Sequence, residues 1–522
     1  MFRLTRFNAA LLGLSACLLS AHVSFAQAPV GTTRGSGALP SLGDNSELAA
    51  AAERRLGDRI AASIYRDPDY IDDPVLSDYL QSIWQPLMAA ARARGELNSE
   101  LDERFAWELF LIRDRTVNAF ALPGGYLGVH LGLIGVVSNR DELAAVLGHE
   151  LSHVTQRHIS RLISQQARTT PWMIGAMILG ALVASKNPQA ASAAIVGGQA
   201  VAAQTQLNFS RDMDREADRV GLTVMLDAGF DSRGASGMFE KLQQASRLND
   251  NGAFPYLRSH PLSTQRIAEV QARLQLATTE APPADAASQL ATRNARVLHS
   301  MMAARARVLA DPGVDALRAM QAEALGVGAQ TTNPSGTLYA GALASAKLRE
   351  FAAAQSLAET VIATTQGNPQ AQTAAVLLDI EVNLIAGRVP PSFQAIDISK
   401  TAQRAELLTK SRALLAAGKP QEVSSRLSTW VTDQPKDSGA WQLLALAYGN
   451  QGQTVRAIRA DAESHAAQLD YPAALERLKA AQNMMRSNPA SADFMEGSII
   501  DTRTRQIDSL VKQQALQDKL DR

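Results

Sequence analysis

The sequence predicts a mostly α-helical protein with a small β-hairpin or sheet in its first half and a helical-repeat array in its second half. Of the 522 residues, 46% are apolar but only 5% are aromatic, and long stretches of Ala, Leu, Gln and Arg favour helices packed on helices. The length exceeds the roughly 250 to 300 residues that one core accommodates, so at least two domains are expected. The second half also repeats its apolar pattern about every 34 residues.

The chain begins with a predicted secretory signal. Arg3 and Arg6 precede an apolar stretch that ends in the small-residue pattern of residues 24–26, so we expect cleavage after Ala26. A lipoprotein signal with lipid on Cys17 is a less favoured alternative, because the apolar stretch continues past that residue; an uncleaved anchor is a third. Cys17 is the only cysteine, so the mature chain would form no disulfide and a metal site would use nitrogen and oxygen ligands.

Folded structure is predicted from residue 46, because residues 27–45 are rich in Gly, Pro, Ser and Thr and form a flexible lead-in. Apolar periodicity predicts amphipathic helices over 47–65 and 74–93. A buried strand is expected near residues 107–112. A Pro-Gly-Gly turn between two short apolar runs then predicts a β-hairpin over 118–129.

The next predicted helix begins at Ser138, which forms a capping box with Asp141, and continues without a break through residue 166. The apolar segment 171–184 follows. It is shorter than the roughly 20 residues that span a bilayer, so it is either a buried helix or a surface that contacts membrane or an apolar substrate.

An H-E-x-x-H pattern lies within this helix, at His149, Glu150 and His153. The two histidines are one helical turn apart and about 40° apart around the helix, so both imidazoles can reach one metal ion. Glu150 projects about 100° from His149, where it can act on a water molecule without binding the metal. His158 is predicted to face the opposite side of the same helix and not to bind the metal.

Catalytic zinc usually takes three protein ligands, so a further ligand must come from another segment. Residues 210–221 carry four acidic residues on a second predicted helix that stops at Gly229. Asp214 and Asp218 share one face of it, whereas Glu216 lies about 200° round from Asp214.

Residues 276–288 are polar, contain proline and lack periodicity, so they are a predicted linker between residues 46–275 and 289–522. Beyond it, the 34-residue spacing is typical of tetratricopeptide helix pairs, and about four repeats are expected. The positions that match are Trp441, Leu444, Ala445, Tyr448 and Ala457, preceded by Leu407, Leu414, Val423, Trp430 and Pro435. The alternative is a helical bundle without repeats.

Basic and acidic residues balance, with 51 of each, and no basic run stands out. A nucleic-acid partner is therefore not expected.

The H-E-x-x-H motif, the D-x-E-A-D-R-x-G segment and the hairpin together resemble the HtpX and CAAX-prenyl-endopeptidase type of zinc peptidase. The resemblance covers about residues 46–275 and implies a zincin-type metallopeptidase domain with one Zn²⁺. It implies that Asp214 is the third ligand and that Asp218 supports the site or donates a proton. The family usually has Glu where this chain has Asp214, so the second helix must approach by about 1 Å or rotate; Glu216 is the alternative ligand.

The resemblance also implies a mechanism and its control. Glu150 takes a proton from the attacking water and returns it to the leaving amine. An extended substrate pairs with the edge strand formed by Asn118, Ala119, Phe120 and Ala121. In members with a leader and a tetratricopeptide tail, the histidine of a similar S-H-P segment can occupy the fourth zinc position. His260 is therefore a candidate regulatory latch, and the alternative is a histidine at a helix entry that only packs.

The predicted signal and the resemblance together imply a periplasmic zinc endopeptidase, and the resemblance alone implies that it degrades misfolded or misassembled outer-membrane proteins. Its partners are expected to be unfolded envelope proteins and, through the repeat domain, the outer-membrane assembly machinery. The alternative is a largely latent peptidase that serves as a chaperone or scaffold in outer-membrane protein assembly.

Overall fold

The protein is mostly helical, as predicted, and its first half contains a four-stranded sheet. The computed structural model describes residues 49–165, 211–247, 253–279, 285–311, 313–326, 333–391, 394, 396–487 and 493–520. The predicted signal, the lead-in, Cys17 and the apolar segment 171–184 lie outside these residues. No helix in the described ranges has the length and apolar character that a membrane span requires.

The described helices of the first half are α1 Ala50–Tyr65, α2 Pro74–Ala93, α3 Ser99–Arg104, α4 Leu131–Val136, α5 Arg140–Thr155, α6 His158–Gln165, α7 Arg211–Asp227, α8 Ser232–Arg247, α9 Tyr256–Ser259 and α10 Thr264–Thr279. Helix α2 has the predicted bounds because Asp73 caps it: its carboxylate accepts the Leu76 N–H at 2.9 Å, and Pro74 occupies the first turn.

The sheet contains β1 Tyr70–Ile71, β2 Glu108–Ile112, β3 Ala119–Leu122 and β4 Tyr126–His130, in the order β1-β2-β4-β3. Strands β2 and β4 are parallel, and the other pairs are antiparallel. The predicted hairpin is confirmed as β3 and β4, whose turn places Gly124 and Gly125 at φ of 74° and 84°, a conformation that favours glycine. Strand β3 is therefore an edge of the sheet.

Two details of the predicted motif helix are wrong. Its cap is Asn139, one residue later than predicted, and the Asn139 side chain accepts the Glu142 N–H at 2.9 Å. The helix is also not continuous: α5 ends at Thr155, Arg157 has a φ of 55°, and α6 begins at His158. The left-handed residue changes the direction of the chain, so His158 does not continue the face that the periodicity assigned to it.

Helices α5 and α7 pack with their backbones in close contact. A Cβ atom added at Gly221 would lie 2.8 Å from the carbonyl of Gly148 and 2.9 Å from the His149 nitrogen. The absence of side chains at both glycines lets α7 lie close to the motif helix.

The described helices of the second half are α11 Ala286–Ala310, α12 Val314–Leu325, α13 Ser335–Lys347, α14 Phe351–Thr364, α15 Pro369–Ile385, α16 Arg404–Ala416, α17 Pro420–Asp433, α18 Ser438–Asn450, α19 Thr454–Ala467, α20 Tyr471–Ser487 and α21 Phe494–Leu520. The predicted spacing is present, because α16 and α18 begin 34 residues apart. Leu407 and Leu444, one in each of these helices, are fully buried in one core.

Helices extend into both ends of the predicted linker 276–288, since α10 reaches Thr279 and α11 starts at Ala286. The described residues all belong to one compact unit. The division into a domain before this linker and a domain after it stays a prediction.

Two arginines of the second half reach the start of α2. Arg305 is buried and binds Asp73 at 2.6 Å and Glu381 at 2.6 Å. Arg404 binds Asp72 at 2.7 Å. Because the Arg305 pairs are buried, loss of one partner would leave an uncompensated charge between the two halves of the protein.

Candidate metal centre and active site

Four side chains could hold one metal ion. His149 and His153 come from α5, Asp214 from the first turn of α7, and His260 follows α9. One ligand atom from each lies within 4.8 Å of the other three, and all four residues are buried. The site therefore combines residues from three separate segments.

The separations within this group suit a small cation. His153 Nε2 lies 3.0 Å from His149 Nε2, and His149 Nε2 lies 3.4 Å from His260 Nδ1. Asp214 Oδ1 lies 2.9 Å from His260 Nδ1 and 3.7 Å from Nε2 of each α5 histidine. Ligand atoms of tetrahedral zinc, at about 2.0 to 2.1 Å from the ion, stand about 3.3 Å apart.

The chemistry of the group also fits a metal ion. Asp214 Oδ2 and Glu150 Oε1 are buried and have no hydrogen-bond partner among the described residues, although Arg266 Nη1 lies 3.6 Å from Asp214 Oδ2. Unsatisfied buried carboxylate oxygens are costly, and a cation within the group would offset that cost. Three imidazoles and one carboxylate, without thiols, are nitrogen and oxygen ligands that zinc accepts.

Asp218 lies next to His149, on the side of the ring away from the group. Its Oδ1 is 2.9 Å from His149 Nδ1, and Arg266 donates to both of its oxygens at 2.7 and 2.9 Å. By accepting the Nδ1 proton, the carboxylate leaves the Nε2 lone pair of His149 directed at the group. Arg266 also donates to the Pro261 carbonyl at 3.1 Å, which connects this support to the segment that carries His260.

Glu150 connects the group to the edge strand β3. The Ala121 N–H donates to Glu150 Oε2 at 3.0 Å, and Glu150 Oε1 lies 3.6 Å from His260 Nε2. Of the predicted edge residues, Ala119, Phe120 and Ala121 lie in β3. Asn118 precedes the strand, and its carbonyl accepts the His130 N–H at 3.1 Å.

The segment that carries His260 lies against the start of this edge. The Val117 N–H donates to the Ala253 carbonyl at 2.8 Å, and the Val117 carbonyl accepts the Tyr256 N–H at 3.4 Å. The Tyr256 ring is buried and lies 4.7 Å from the His260 ring and 6.3 Å from the His149 ring, centroid to centroid. The segment that carries His260 therefore lies beside both the start of β3 and the four-atom group.

His158 and Glu216 lie outside the four-atom group but beside it. His158 Nδ1 is 2.8 Å from His153 Nδ1, and His158 Nε2 is 3.1 Å from Glu216 Oε2. The prediction that His158 faces away from the site is wrong, because the chain turns at Arg157. Glu216, the alternative ligand, is directed at His158 and Arg161 and is not brought to the group.

Burial and neighbouring charges set the protonation of the site. Burial alone would lower the pKa of His149, but the carboxylates of Asp214 and Asp218 raise it to about 9. Burial lowers the pKa of His153 well below its ordinary value and that of His158 to about 4. Burial raises the pKa of Asp214, but the imidazoles of His149 and His260 outweigh it and hold that pKa well below its usual range. The two carboxylates thus favour a positive charge in this group.

The sequence interpretation missed Arg266, Tyr256 and the contacts of His158. Arg266 follows His260 by six residues at the start of a helix, and that proximity to the S-H-P segment is the one signal that could have indicated it. Tyr256 precedes His260 by four residues but is separated from it by a helix end, so periodicity does not place both rings together.

The chain is similar to known proteins in its sequence. Residues 76–274 match peptidase family M48. The chain is 30% identical over 444 residues to a Vibrio cholerae protein assigned as a beta-barrel assembly-enhancing protease, covering 84% of this chain and 86% of that protein. The beta-barrel assembly-enhancing protease of Escherichia coli is 27% identical over 449 residues, with the same coverage.

A shorter part of the chain is similar to a mitochondrial protease. The mitochondrial metalloendopeptidase OMA1 of Schizosaccharomyces pombe is 34% identical over 165 residues, which are 32% of this chain and 46% of that protein. The long similarity to the bacterial proteases includes both halves of the chain, and the short one is limited to about a third of it. Together with a buried group that could hold one zinc ion, these similarities show that the chain belongs to peptidase family M48 and is a zinc-dependent metalloprotease.

Proposed function

We propose that this protein is a periplasmic endopeptidase that cleaves unfolded or misassembled outer-membrane proteins. The observation that carries the proposal is the position of Glu150, whose carboxylate lies between the edge strand and the four-atom group. A base at that position can act on a water molecule beside a peptide that pairs with the edge. The names of the bacterial relatives refer to beta-barrel assembly, which supports the substrate class.

We assign His149, His153 and Asp214 as the zinc ligands. Bound zinc would lower the pKa of a water molecule and polarise the scissile carbonyl. Asp218, through its contact with His149 Nδ1, keeps that ring in the required orientation. Glu216 is not favoured as a ligand, because its carboxylate contacts His158 and Arg161.

Glu150 acts as the general base and then as the general acid. The Ala121 N–H fixes one carboxylate oxygen, while the other makes no hydrogen bond and can take the proton of the attacking water. The same oxygen then passes the proton to the leaving amine. Burial of the whole carboxylate limits the exchange of this proton with solvent.

The edge strand binds the substrate through its backbone. Ala119 and Ala121 carry small side chains on a strand that, within the described residues, pairs with β4 on one side and with no strand on the other. An extended peptide would add to the other side, with its main chain recognised and its sequence largely unread. Broad cleavage of unfolded chains follows from this mode of binding.

His260 acts as a latch in this proposal. Its Nδ1 lies within the group, and the chain before it is hydrogen-bonded to Val117, immediately before the edge strand. One segment therefore occupies both the fourth ligand position and the entrance to the edge. Displacement of this segment by substrate or partner would activate the enzyme.

The repeat half is proposed to recruit partners, as tetratricopeptide-type arrays do through their extended surfaces. The 34-residue spacing of its helices supports this assignment. The second candidate function, a latent peptidase that serves as a scaffold, is favoured by one observation: His260 occupies the group in the structure.

The test compares zinc content and hydrolysis of casein and of an unfolded outer-membrane β-barrel precursor. For Glu150→Gln we expect retained zinc and hydrolysis reduced by about 100- to 10,000-fold. Asp214→Ala should lose zinc, Glu216→Leu should keep more zinc than Asp214→Ala, and His260→Ala should keep zinc and cleave faster than the wild type.

Exposed Asp212, on the same helix as Asp214, provides the control Asp212→Ala, which should behave as the wild type. If the wild type binds zinc but neither it nor His260→Ala cleaves either substrate, the scaffold function replaces the peptidase. If casein is cleaved and the β-barrel precursor is not, the enzyme stands and the proposed substrate class fails.

A further inference from the structure

The two α5 histidines differ in how their outer nitrogens are bonded. His149 Nδ1 faces a carboxylate directly, at Asp218, whereas His153 Nδ1 faces another imidazole, that of His158. We propose that His158 and Glu216 are positioning residues, which fix His153 in the tautomer and orientation that a metal ligand requires. This inference rests on the proposed role of His153 as a ligand.

The contacts form a continuous chain from His153, in the four-atom group, to the partly exposed Glu216 and Arg161. His153 Nδ1 lies 2.8 Å from His158 Nδ1, and His158 Nε2 lies 3.1 Å from Glu216 Oε2. Arg161 donates to the same Glu216 oxygen at 2.9 Å. The side chains of His153 and His158 are fully buried, so water does not compete for these bonds at the imidazoles.

The Glu216 carboxylate, at the end of this chain of contacts, sets the direction of each hydrogen bond between the imidazoles. An ionised carboxylate only accepts, so Glu216 requires a proton on His158 Nε2. A neutral imidazole with a proton on Nε2 has a lone pair on Nδ1, which therefore accepts from His153. His153 then carries its proton on Nδ1 and directs the Nε2 lone pair at His149 Nε2, Asp214 Oδ1 and the rest of the group.

The reverse arrangement would disable the ligand. If His158 carried its proton on Nδ1, its Nε2 lone pair would face the Glu216 carboxylate. His153 would then accept at Nδ1 and place a proton on Nε2, the atom that must bind the metal. Glu216 therefore selects between a His153 that can bind a cation and one that cannot.

The fold creates this contact through the break between α5 and α6. In a continuous helix, residues 153 and 158 would lie about 140° apart around the axis and could not meet. The left-handed Arg157 turns the chain between them, and its guanidinium is bound at 3.0 Å by Glu53, which is buried in α1. The break is thus held by a residue from a distant part of the sequence.

In this proposal, helix α7 supplies the acidic residues for all three ligand side chains. It supplies Asp214 to the group, Asp218 to His149 and Glu216 to His153 through His158. Three acidic residues at alternate positions of one helix thus serve one ligand position and both imidazoles. The spacing is consistent with this, because Glu216 faces away from the group and toward α6.

The test measures the zinc dissociation constant by competition with a chromogenic chelator, alongside casein hydrolysis and thermal unfolding of the zinc-free protein. His158→Phe keeps an aromatic ring but removes the acceptor, and we expect zinc affinity to fall by about 10- to 100-fold, the usual effect of losing such a partner. His158→Asn restores an acceptor oxygen near the position of Nδ1 and should recover most of the affinity.

Two Glu216 variants test the next link. Glu216→Leu removes the acceptor and should lower zinc affinity, because His158 can then adopt the other tautomer. Glu216→Gln should remain close to the wild type, because His158 and Arg161 bond to the same oxygen and one amide oxygen can replace it.

His299 provides the matched control, since it is also buried and hydrogen-bonded through both nitrogens, to Tyr79 and to the Val137 carbonyl. His299→Phe should lower the unfolding temperature without changing zinc affinity. Unchanged zinc affinity in His158→Phe would overturn the proposed positioning role of His158 and Glu216 and leave the proposed function intact. Equal losses in His158→Phe, His158→Asn and His299→Phe would overturn it too, since they would indicate a structural role alone. A wild type without zinc would instead overturn the proposed function.

Discussion

Asp218 shows how one carboxylate at the residue scale serves two neighbours. It faces His149 Nδ1 at 2.9 Å and is bound through both oxygens by Arg266. Burial raises the pKa of Asp218, but the Arg266 guanidinium and His149 outweigh it and lower that pKa below its ordinary value. The residue is therefore ionised at neutral pH and can orient the imidazole.

We predict that Asp218→Ala lowers zinc affinity by about 10- to 100-fold, because His149 loses the acceptor that fixes its tautomer. Asp218→Asn retains an acceptor oxygen and should lose less. Chelator competition measures both, with the exposed Asp212→Ala as the control on the same helix. Equal affinity of Asp218→Ala and the wild type would show that the contact does not position His149.

The same scale shows which site residues the sequence could predict. His149, Glu150 and His153 are close in the chain, so helical geometry alone places them together, and the structure brings Asp214 and His260 to the same point. His158 could not be predicted, since its contact with His153 depends on one left-handed residue. Arg266 depends on the packing of α10 against α7, which no local spacing encodes.

At the scale of elements, the crossing of α5 and α7 determines whether an aspartate can reach the group. The crossing is close because Gly148 and Gly221 lie backbone to backbone. A methyl group at Gly221 would overlap the Gly148 carbonyl and force the helices apart. The distance between the helices and the length of the side chain at position 214 are thus linked.

We predict that Gly221→Ala lowers the free energy of unfolding by about 1 to 3 kcal/mol and weakens zinc binding, because Asp214 moves away from the histidines. In the Gly221→Ala background, Asp214→Glu should raise the zinc affinity again, since the longer side chain spans the wider gap. In the wild type, where the gap is not widened, Asp214→Glu should not raise it. Chemical denaturation and chelator competition measure the two effects.

The control for this experiment is Gly449→Ala, because Gly449 is helical and a Cβ there would meet nothing within 4 Å. It should change neither zinc affinity nor the response to Asp214→Glu. Independent, additive effects of Gly221→Ala and Asp214→Glu would contradict the link between helix distance and side-chain length.

Element boundaries were predictable where local chemistry decides them. Helix α2 has the predicted bounds because Asp73 and Pro74 define its start, and the Pro-Gly-Gly turn defined the hairpin. The break after α5 was not, because nothing in its own sequence ends the helix: Arg157 is held by Glu53, more than 100 residues earlier in the chain. Long-range ion pairs of this kind leave no periodic signal.

At the scale of the whole molecule, the two halves are joined at the start of α2 by one buried and one partly buried ion pair. Arg305 binds Asp73, and Arg404 binds Asp72. The Tyr79 hydroxyl also donates to His299 at 2.6 Å, and His299 in turn donates to the Val137 carbonyl at 2.8 Å. The helical half thus contributes directly to the packing of α2, which lies against the motif helix.

We predict a pH-dependent effect of Asp73→Asn. Burial raises the pKa of Asp73, but the Arg305 charge outweighs it and lowers that pKa below its ordinary value of 3.8. A group with a lowered folded-state pKa stabilises the protein above its unfolded-state pKa and loses this effect as the pH falls through the folded-state value. Asparagine can still cap α2, so the variant removes mainly the charge.

Asp73→Asn should therefore lower the free energy of unfolding by about 3 kcal/mol at pH 7, and the difference from the wild type should shrink as the pH falls below about 4. Denaturant titrations at pH 7, 5 and 3.5 measure it, with the exposed Asp433→Asn as the control. A difference that stays constant over this range would show that the Arg305 pair is not its cause.

The 34-residue spacing of helices in the second half was predictable from the sequence, and the linker at 276–288 stays a prediction. The contacts between the halves were not, because Arg305 and Arg404 are ordinary helical arginines until the fold brings them to α2. Their partners lie more than 200 residues earlier in the chain, beyond the reach of any periodic pattern.

The join between the halves has a consequence for the order in which the protein matures. The chain is synthesised from its N-terminus, so α2 and the motif helix emerge well before Arg305 and Arg404. Until Arg305 is present, the Asp73 carboxylate lacks the charged partner that offsets the cost of its burial. The peptidase half therefore gains the last of the ion pairs around α2 only after the residues of the second half have been made.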